Sequence, residues 1–280
     1  MLNGYGANAE TSLENREKSM DYSVPAYLTP FILTGMIVVI AALLLRLRRA
    51  LRSATWPERD QTSAFWSASS LLVGWFVVAL LTSIAGYYRP PSGRPPTIQY
   101  GLLAPIVVGV LLFRSWPLLR RAFAIIPSNW LVGVQLYRVL GVIFLVLYAG
   151  GHLPGLFALP AGLGDMLVGI LAPLVAVSFA RSPEHSARRV RLWNLLGITD
   201  LVVALTLGFL TSPSPFQIAA FDRPSELIAM FPLSLIPVFA IPLSILLHIA
   251  SLQKLRQDRR TGYGVQERRQ IASSGHRLIG

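Results

Sequence analysis

Cysteine is absent from the 280 residues, which excludes disulfides and thiolate chemistry. Charge is scarce. Only 14% of residues are Asp, Glu, Lys or Arg, against about 25% in soluble domains. Lysine occurs only as Lys18 and Lys254, both outside the long apolar runs, so no Schiff base can form inside a bundle. No GxSxG, HExxH, Walker or zinc-ligand spacing is found, and Gly162-Leu-Gly164 lacks the third glycine and the strand of a dinucleotide fingerprint. Every loop is too short to hold a soluble catalytic domain. An intramembrane enzyme would need a nucleophile or metal constellation that the chain does not display, and no cofactor or metal is expected. Residues 1–26 form a polar N-terminal segment. Met1 to Asp21 lack the basic start and cleavage site of a signal peptide, so the first apolar run is expected to stay as a span.

Apolar surface is what the chain has in abundance: 53% hydrophobic residues and a mean hydropathy of +0.55. Runs of about 20 apolar residues imply transmembrane helices. The expected fold is all-α, a polytopic bundle of seven spans at 27–47, 65–87, 100–116, 130–149, 155–180, 192–210 and 227–252, followed by a basic tail at 253–280. The third span is short enough to put its full crossing in question. Although the net charge is +12, the arginines cluster at span ends and not in a nucleic-acid patch. Nineteen of the 25 lysines and arginines fall in the first, third and fifth loops and the tail, and five on the opposite side. The positive-inside rule then predicts an external N-terminus and a cytoplasmic C-terminus. Ser115 to Pro127 mixes arginine with Trp and Phe and predicts an amphipathic helix at the headgroup layer. The second loop, from Arg89, is proline-rich and expected to be extended. The tail is expected to fray beyond Arg260, and its arginines to meet anionic headgroups. The bilayer is the one firm partner; nucleic acid is not expected.

Three charges interrupt the spans: Arg138, Asp165 and Asp200. Each costs roughly 2.5–3.5 kcal/mol near the bilayer centre on insertion scales. At about 1.5 Å per residue all three fall at similar depth, on consecutive spans. Gln135, Arg138, Gly141 and Tyr148 share one face of span four. Ala161, Gly162, Asp165, Gly169, Ala172 and Ala176 form a small-residue stripe on span five, as do Gly197, Asp200, Ala204 and Gly208 on span six. Such stripes let helices approach closely, so the charges are expected on packing faces and in mutual contact. The two stripes resemble each other although the spans run in opposite directions, a pattern found in transporters with midplane sites. One arginine between two aspartates leaves one negative charge over. Either a carboxyl holds a proton, or water and the donors Gln135, Tyr137, Tyr148, Asn194 and Thr199 share the load.

Other residues carry less. Pro232, Pro237 and Pro242 predict a bent seventh span or a hinge. His248 has no second histidine at its own depth, which argues against a bis-histidine haem. The segments Gln135-Leu-Tyr-Arg138-Val-Leu-Gly141, Leu159-Pro-Ala-Gly-Leu-Gly-Asp165 and Trp193-Asn-Leu-Leu-Gly-Ile-Thr-Asp200 resemble those of hypothetical bacterial multi-pass membrane proteins over spans four to seven. The resemblance implies a bacterial cytoplasmic (inner) membrane and no particular activity. The expected role is a small-molecule or ion transporter whose ligand or proton site comprises Arg138, Asp165, Asp200, Gln135 and Asn194. The alternative is a non-transporting sensor, assembly or structural protein whose buried charges only lock helices together.

Overall fold

The computed structural model describes residues 24–89 and 97–275, with side chains as far as 258. The polar N-terminal segment up to residue 23 and the proline-rich part of the second loop lie outside them. The helices are α1 (Leu28–Arg52), α2 (Glu58–Ile84), α3 (Ile98–Ser115), α4 (Pro117–Ala124), α5 (Ser128–Gly133), α6 (Val142–Ala149), α7 (Gly155–Arg181), α8 (Pro183–Thr211) and α9 (Ile241–Gly275). A 3₁₀ segment, Val134–Gly141, joins α5 to α6, and a π-helical turn, Ile236–Ala240, leads into α9. Among the described residues seven stretches are long and apolar enough to cross a bilayer: α1, α2, α3, Ser128–Ala149, α7, α8 and Ile236–Asp258. The chain is a multi-pass membrane protein. In hydrocarbon each backbone N–H and C=O must be satisfied within its own segment, which leaves helices as the form these runs take.

The helices outrun the hydrophobic segments that mark them in the sequence. α2 begins at Glu58, where Glu58 and Asp60 face the positive end of the helix dipole. α8 begins at Pro183, with only Ser182 between it and the end of α7, so Arg188, Arg189 and Arg191 ride on its first turns and not in a loop. α9 continues to Gly275, past the point where the tail is expected to fray. The seventh span starts later than its hydropathy does. Leu227 sits in a 3₁₀ turn and the membrane-length helix opens at Ile236. Pro232, Pro237 and Pro242 each lack the N–H that an α-helix needs there. The third span is 18 residues long, about 27 Å at 1.5 Å per residue.

Ile236–Asp258 is the hub, with more than half of its apolar window buried. Its π turn places Phe239 between Trp75 and Phe76 of α2, at centroid distances of 4.7 and 5.1 Å. α3 has no buried residue and touches chiefly this hub. α4 is amphipathic: Leu119 and Ala122 are buried while Arg120 and Arg121 are exposed. Arg121 lies over the Trp56 ring at 4.5 Å, and Lys254 donates to the Ala124 carbonyl at the helix's end.

Truncating Phe239, which is fully buried, is expected to cost about 3–5 kcal/mol through the cavity it leaves. Denaturant unfolding of Phe239→Ala against wild type in the same micelle measures it.

Candidate functional site: the Arg138 cluster

The fourth span delivers its polar residues through 3₁₀ geometry. In a 3₁₀ helix, residues three apart eclipse one another. Gln135, Arg138 and Gly141 therefore share one face, and all three are buried. Tyr148, read from the sequence as part of that face, is exposed and packs over Gly155 instead. α7 sets Gly162 and Gly169 against the fourth span while α8 runs antiparallel beside α7, and each helix presents one aspartate to the same guanidinium.

Arg138 is 2% exposed. Its Nε donates to Asp165 Oδ1 at 2.7 Å, and Nη2 lies 2.7 Å from the same oxygen. Nη2 also donates to Asp200 Oδ2. Nη1 donates to the Gly197 carbonyl and to His248 Nε2, both at 3.2 Å. A guanidinium has five N–H donors; four of them make hydrogen bonds here, and the Nη2–Asp165 approach adds an ion pair. Arginine cannot accept, so His248 Nε2 must be the accepting nitrogen. Its Nδ1 then carries the proton and donates to Asn194 Oδ1 at 2.9 Å. Asn194 Nδ2 passes its own protons to the Val190 carbonyl at 2.8 Å and to Ser251 Oγ at 3.1 Å. The donor directions assign a neutral imidazole, which lies tilted against Trp193 at a centroid distance of 5.0 Å.

Glycine makes this approach possible. A Cβ at Gly164 would overlap the Asp200 carboxylate, one at Gly141 the Asp165 side chain, and one at Gly197 the His248 ring. Alanine at any of the three would push apart the spans that the cluster joins.

The aspartates are less enclosed than the arginine, at 16% and 12% side-chain exposure. Asp165 Oδ2 and Asp200 Oδ1 have no protein donor among the described residues. A cavity of about 150 Å³ runs from the ion pair between exposed Arg89 and half-buried Glu226 (3.3 Å), at the end opposite the arginine-rich one, to Asp165. A separate, smaller cavity of about 60 Å³ is lined by both Asp165 and Arg138. The remaining sequence candidates do not touch the carboxylates. Gln135 donates to the Ser244 carbonyl at 3.1 Å, and its Oε1 has no partner among the described residues. Tyr137 bonds Ser244 Oγ and the Ala240 carbonyl. Asn194 reaches the cluster only through His248, and Thr199 is exposed.

Sequence reasoning overlooked α9's share. Ser244, His248 and Ser251 are all buried, and they recur at the four- and three-residue spacing of one helical face. A polar stripe on an apolar span was the available signal. No group of three or more metal-ligating side chains occurs among the described residues.

A family model described as a domain of unknown function (DUF8737) matches residues 95–256. The chain belongs to the DUF8737 family. No curated protein and no solved structure matches it. The DUF8737 segment runs from before α3 to the end of the seventh span, so it contains Arg138, Asp165, Asp200, Asn194 and His248 together. α1 and α2 lie outside it.

Removing the arginine strands two carboxylates in an apolar bundle, the costly way to break a buried pair. Arg138→Gln is expected to lower stability by about 3–5 kcal/mol. Adding Asp165→Asn and Asp200→Asn to it should restore part of that loss. Unfolding of the single and triple variants in one detergent compares them.

Proposed function

We propose that this DUF8737 protein is a permease-like carrier of a proton or a small polar solute, acting through the Arg138–Asp165–Asp200 cluster. The carrying observation is the cavity that ends on Asp165, together with the two carboxylate oxygens left without protein donors. One guanidinium balances one carboxylate. The second negative charge, in a low-dielectric bundle, calls for a proton or a cation arriving by that cavity. In this reading Arg138 fixes both acids and serves as partner to an anionic group, and either aspartate takes the proton. Gln135 and Asn194 position the surroundings through Ser244 and His248. The antiparallel relation of α7 and α8, each with its glycine–aspartate stripe, supports the comparison with inverted repeats.

A second reading rests on a different observation. All three guanidinium nitrogens bond groups on neighbouring spans, as a helix clasp in a sensor, assembly or structural protein requires. Two measurements separate the readings. Wild-type chain in vesicles holding a pH dye is expected to carry protons under an imposed potential, or to release a retained polar solute to mass spectrometry after purification in native lipid. Asp165→Asn is expected to fold and lose the activity. A folded wild type with neither property, or loss of folding in both Asp165→Asn and Asp200→Asn, favours the clasp.

The same reading places the N-terminus outside and the arginine-rich ends on the cytoplasmic face of a bacterial inner membrane, near anionic headgroups. The chain has no cysteine, so single cysteines report topology without background. Cysteine at position 55, between α1 and α2, is expected to resist an impermeant thiol reagent in intact cells until they are opened. Labelling of intact cells would reverse the orientation.

A further inference from the structure

Away from the charged cluster lies a larger cavity of about 420 Å³, walled by α1, α2, α3, α4, α5 and the seventh span. Its lining is apolar, including Leu44, Leu72, Trp75, Val108, Phe123 and Leu247. The volume is about three times that of an engineered apolar cavity that stays dry and binds benzene. Water gains no partners there, so an apolar occupant is the one that fits.

Its extent specifies the occupant further. On α2 the lining runs from Ala68 to Val78, about 15 Å at 1.5 Å per residue. That is the depth of one leaflet, half of a hydrocarbon core of roughly 30 Å. The deep end lies at Trp75 and Val78. The shallow end is closed by α4, whose Leu119, Ala122 and Phe123 face the cavity. Directly after lining residues Phe113 and Leu119 come Arg114 and Arg120, both exposed and neither in an ion pair among the described residues. No acidic residue occurs between Asp60 and Asp165. The acids of this end lie elsewhere: Glu58 and Asp60 open α2, Glu184 opens α8, and Asp258 accepts from Ser128 at 2.9 Å. A one-leaflet apolar slot beneath unpaired arginines matches a lipid with one acyl chain inside and an anionic headgroup above.

We propose that this cavity is a binding site for an anionic phospholipid, with an acyl chain lying between α2 and α3 and its phosphate held by Arg114 and Arg120. The third span then owes its seat to lipid as well as to protein: it has no buried residue of its own, and the chain fills the space between it and α2. The site is independent of the charged cluster and of any transport through it.

Trp75 supplies the probe. The full chain is reconstituted in phosphatidylcholine vesicles doped with acyl-brominated phosphatidylglycerol or, at equal mole fraction, acyl-brominated phosphatidylcholine. Bromine quenches indole on contact, and the Trp75 signal is the difference between wild type and Trp75→Phe. Half-quenching is expected at lower phosphatidylglycerol than phosphatidylcholine, by about fivefold for each arginine that reaches the phosphate. The double variant Arg114→Ala/Arg120→Ala should bring the two lipids level, and Ala68→Phe, which fills the slot, should abolish quenching by both. Equal quenching of wild type by the two lipids would show bulk acyl chains only and overturn the proposal. An unquenched Trp75 would overturn it too, leaving the slot closed or filled by a second copy or another protein.

Discussion

The guanidinium of Arg138 is almost wholly shielded from solvent and must find its hydrogen-bond acceptors in the protein, and the bundle is arranged so that four converge on it. Two come from the aspartates of α7 and α8, with Asp165 Oδ1 used twice; one is a backbone carbonyl of α8, and one is the imidazole of α9. Taking an ion out of water costs several kcal/mol even after relaxation. A shell that engages every guanidinium nitrogen offsets that cost. The shell explains several local departures from regular structure. The 3₁₀ stretch of the fourth span turns Gln135, Arg138 and Gly141 to one side. Gly141, Gly164 and Gly197 occur where a methyl group would overlap an aspartate or the histidine. The histidine is neutral because arginine leaves it no role but acceptor.

The cluster is unevenly satisfied. Its cation is bonded through all three nitrogens, while each anion keeps one oxygen without a protein donor among the described residues, and both cavities reach Asp165. This asymmetry distinguishes the site from a simple pair of salt bridges. It also divides the molecule. The polar interior lies among the fourth to seventh spans, inside the DUF8737 segment, and communicates with the end opposite the arginines. The large apolar cavity lies among the first three spans, α4 and the seventh span, at the arginine-rich half. Ile236–Asp258 borders both, which accounts for its burial and for the two characters of its surface: Ser244, His248 and Ser251 on one side, Leu243 and Leu247 on another.

Much of this was legible in the residues. Long apolar runs specify spans because lipid leaves the backbone no other solution. The convergence of Arg138, Asp165 and Asp200 followed from their depth and from the small residues beside them. What escaped has physical causes. Hydropathy marks where a helix meets hydrocarbon and not where its hydrogen bonding stops, so α2 and α8 begin several residues before their apolar runs. The prolines of the seventh span cannot donate, so Leu227 was drawn into a span that begins at Ile236. An α-helical wheel put Tyr148 with Arg138, whereas three-residue periodicity holds over Val134–Gly141. His248 was weighed as a metal ligand, which hid its plainer use as an acceptor for arginine. The cavities come from packing between distant segments and leave no mark in any single helix.

The account's central claim is that one guanidinium joins both carboxylates in the membrane-embedded chain. Solid-state NMR of the wild-type protein in lipid bilayers, with ¹⁵N-guanidinium and ¹³C-carboxyl labels, tests it directly, and a parallel Arg138→Lys sample serves only to assign the Arg138 signal. Through-space transfer from the Arg138 nitrogens to two distinct aspartate carboxyl carbons, with a rigid guanidinium, is the predicted result. Transfer to one carboxyl or to none, or a freely rotating side chain, would contradict it.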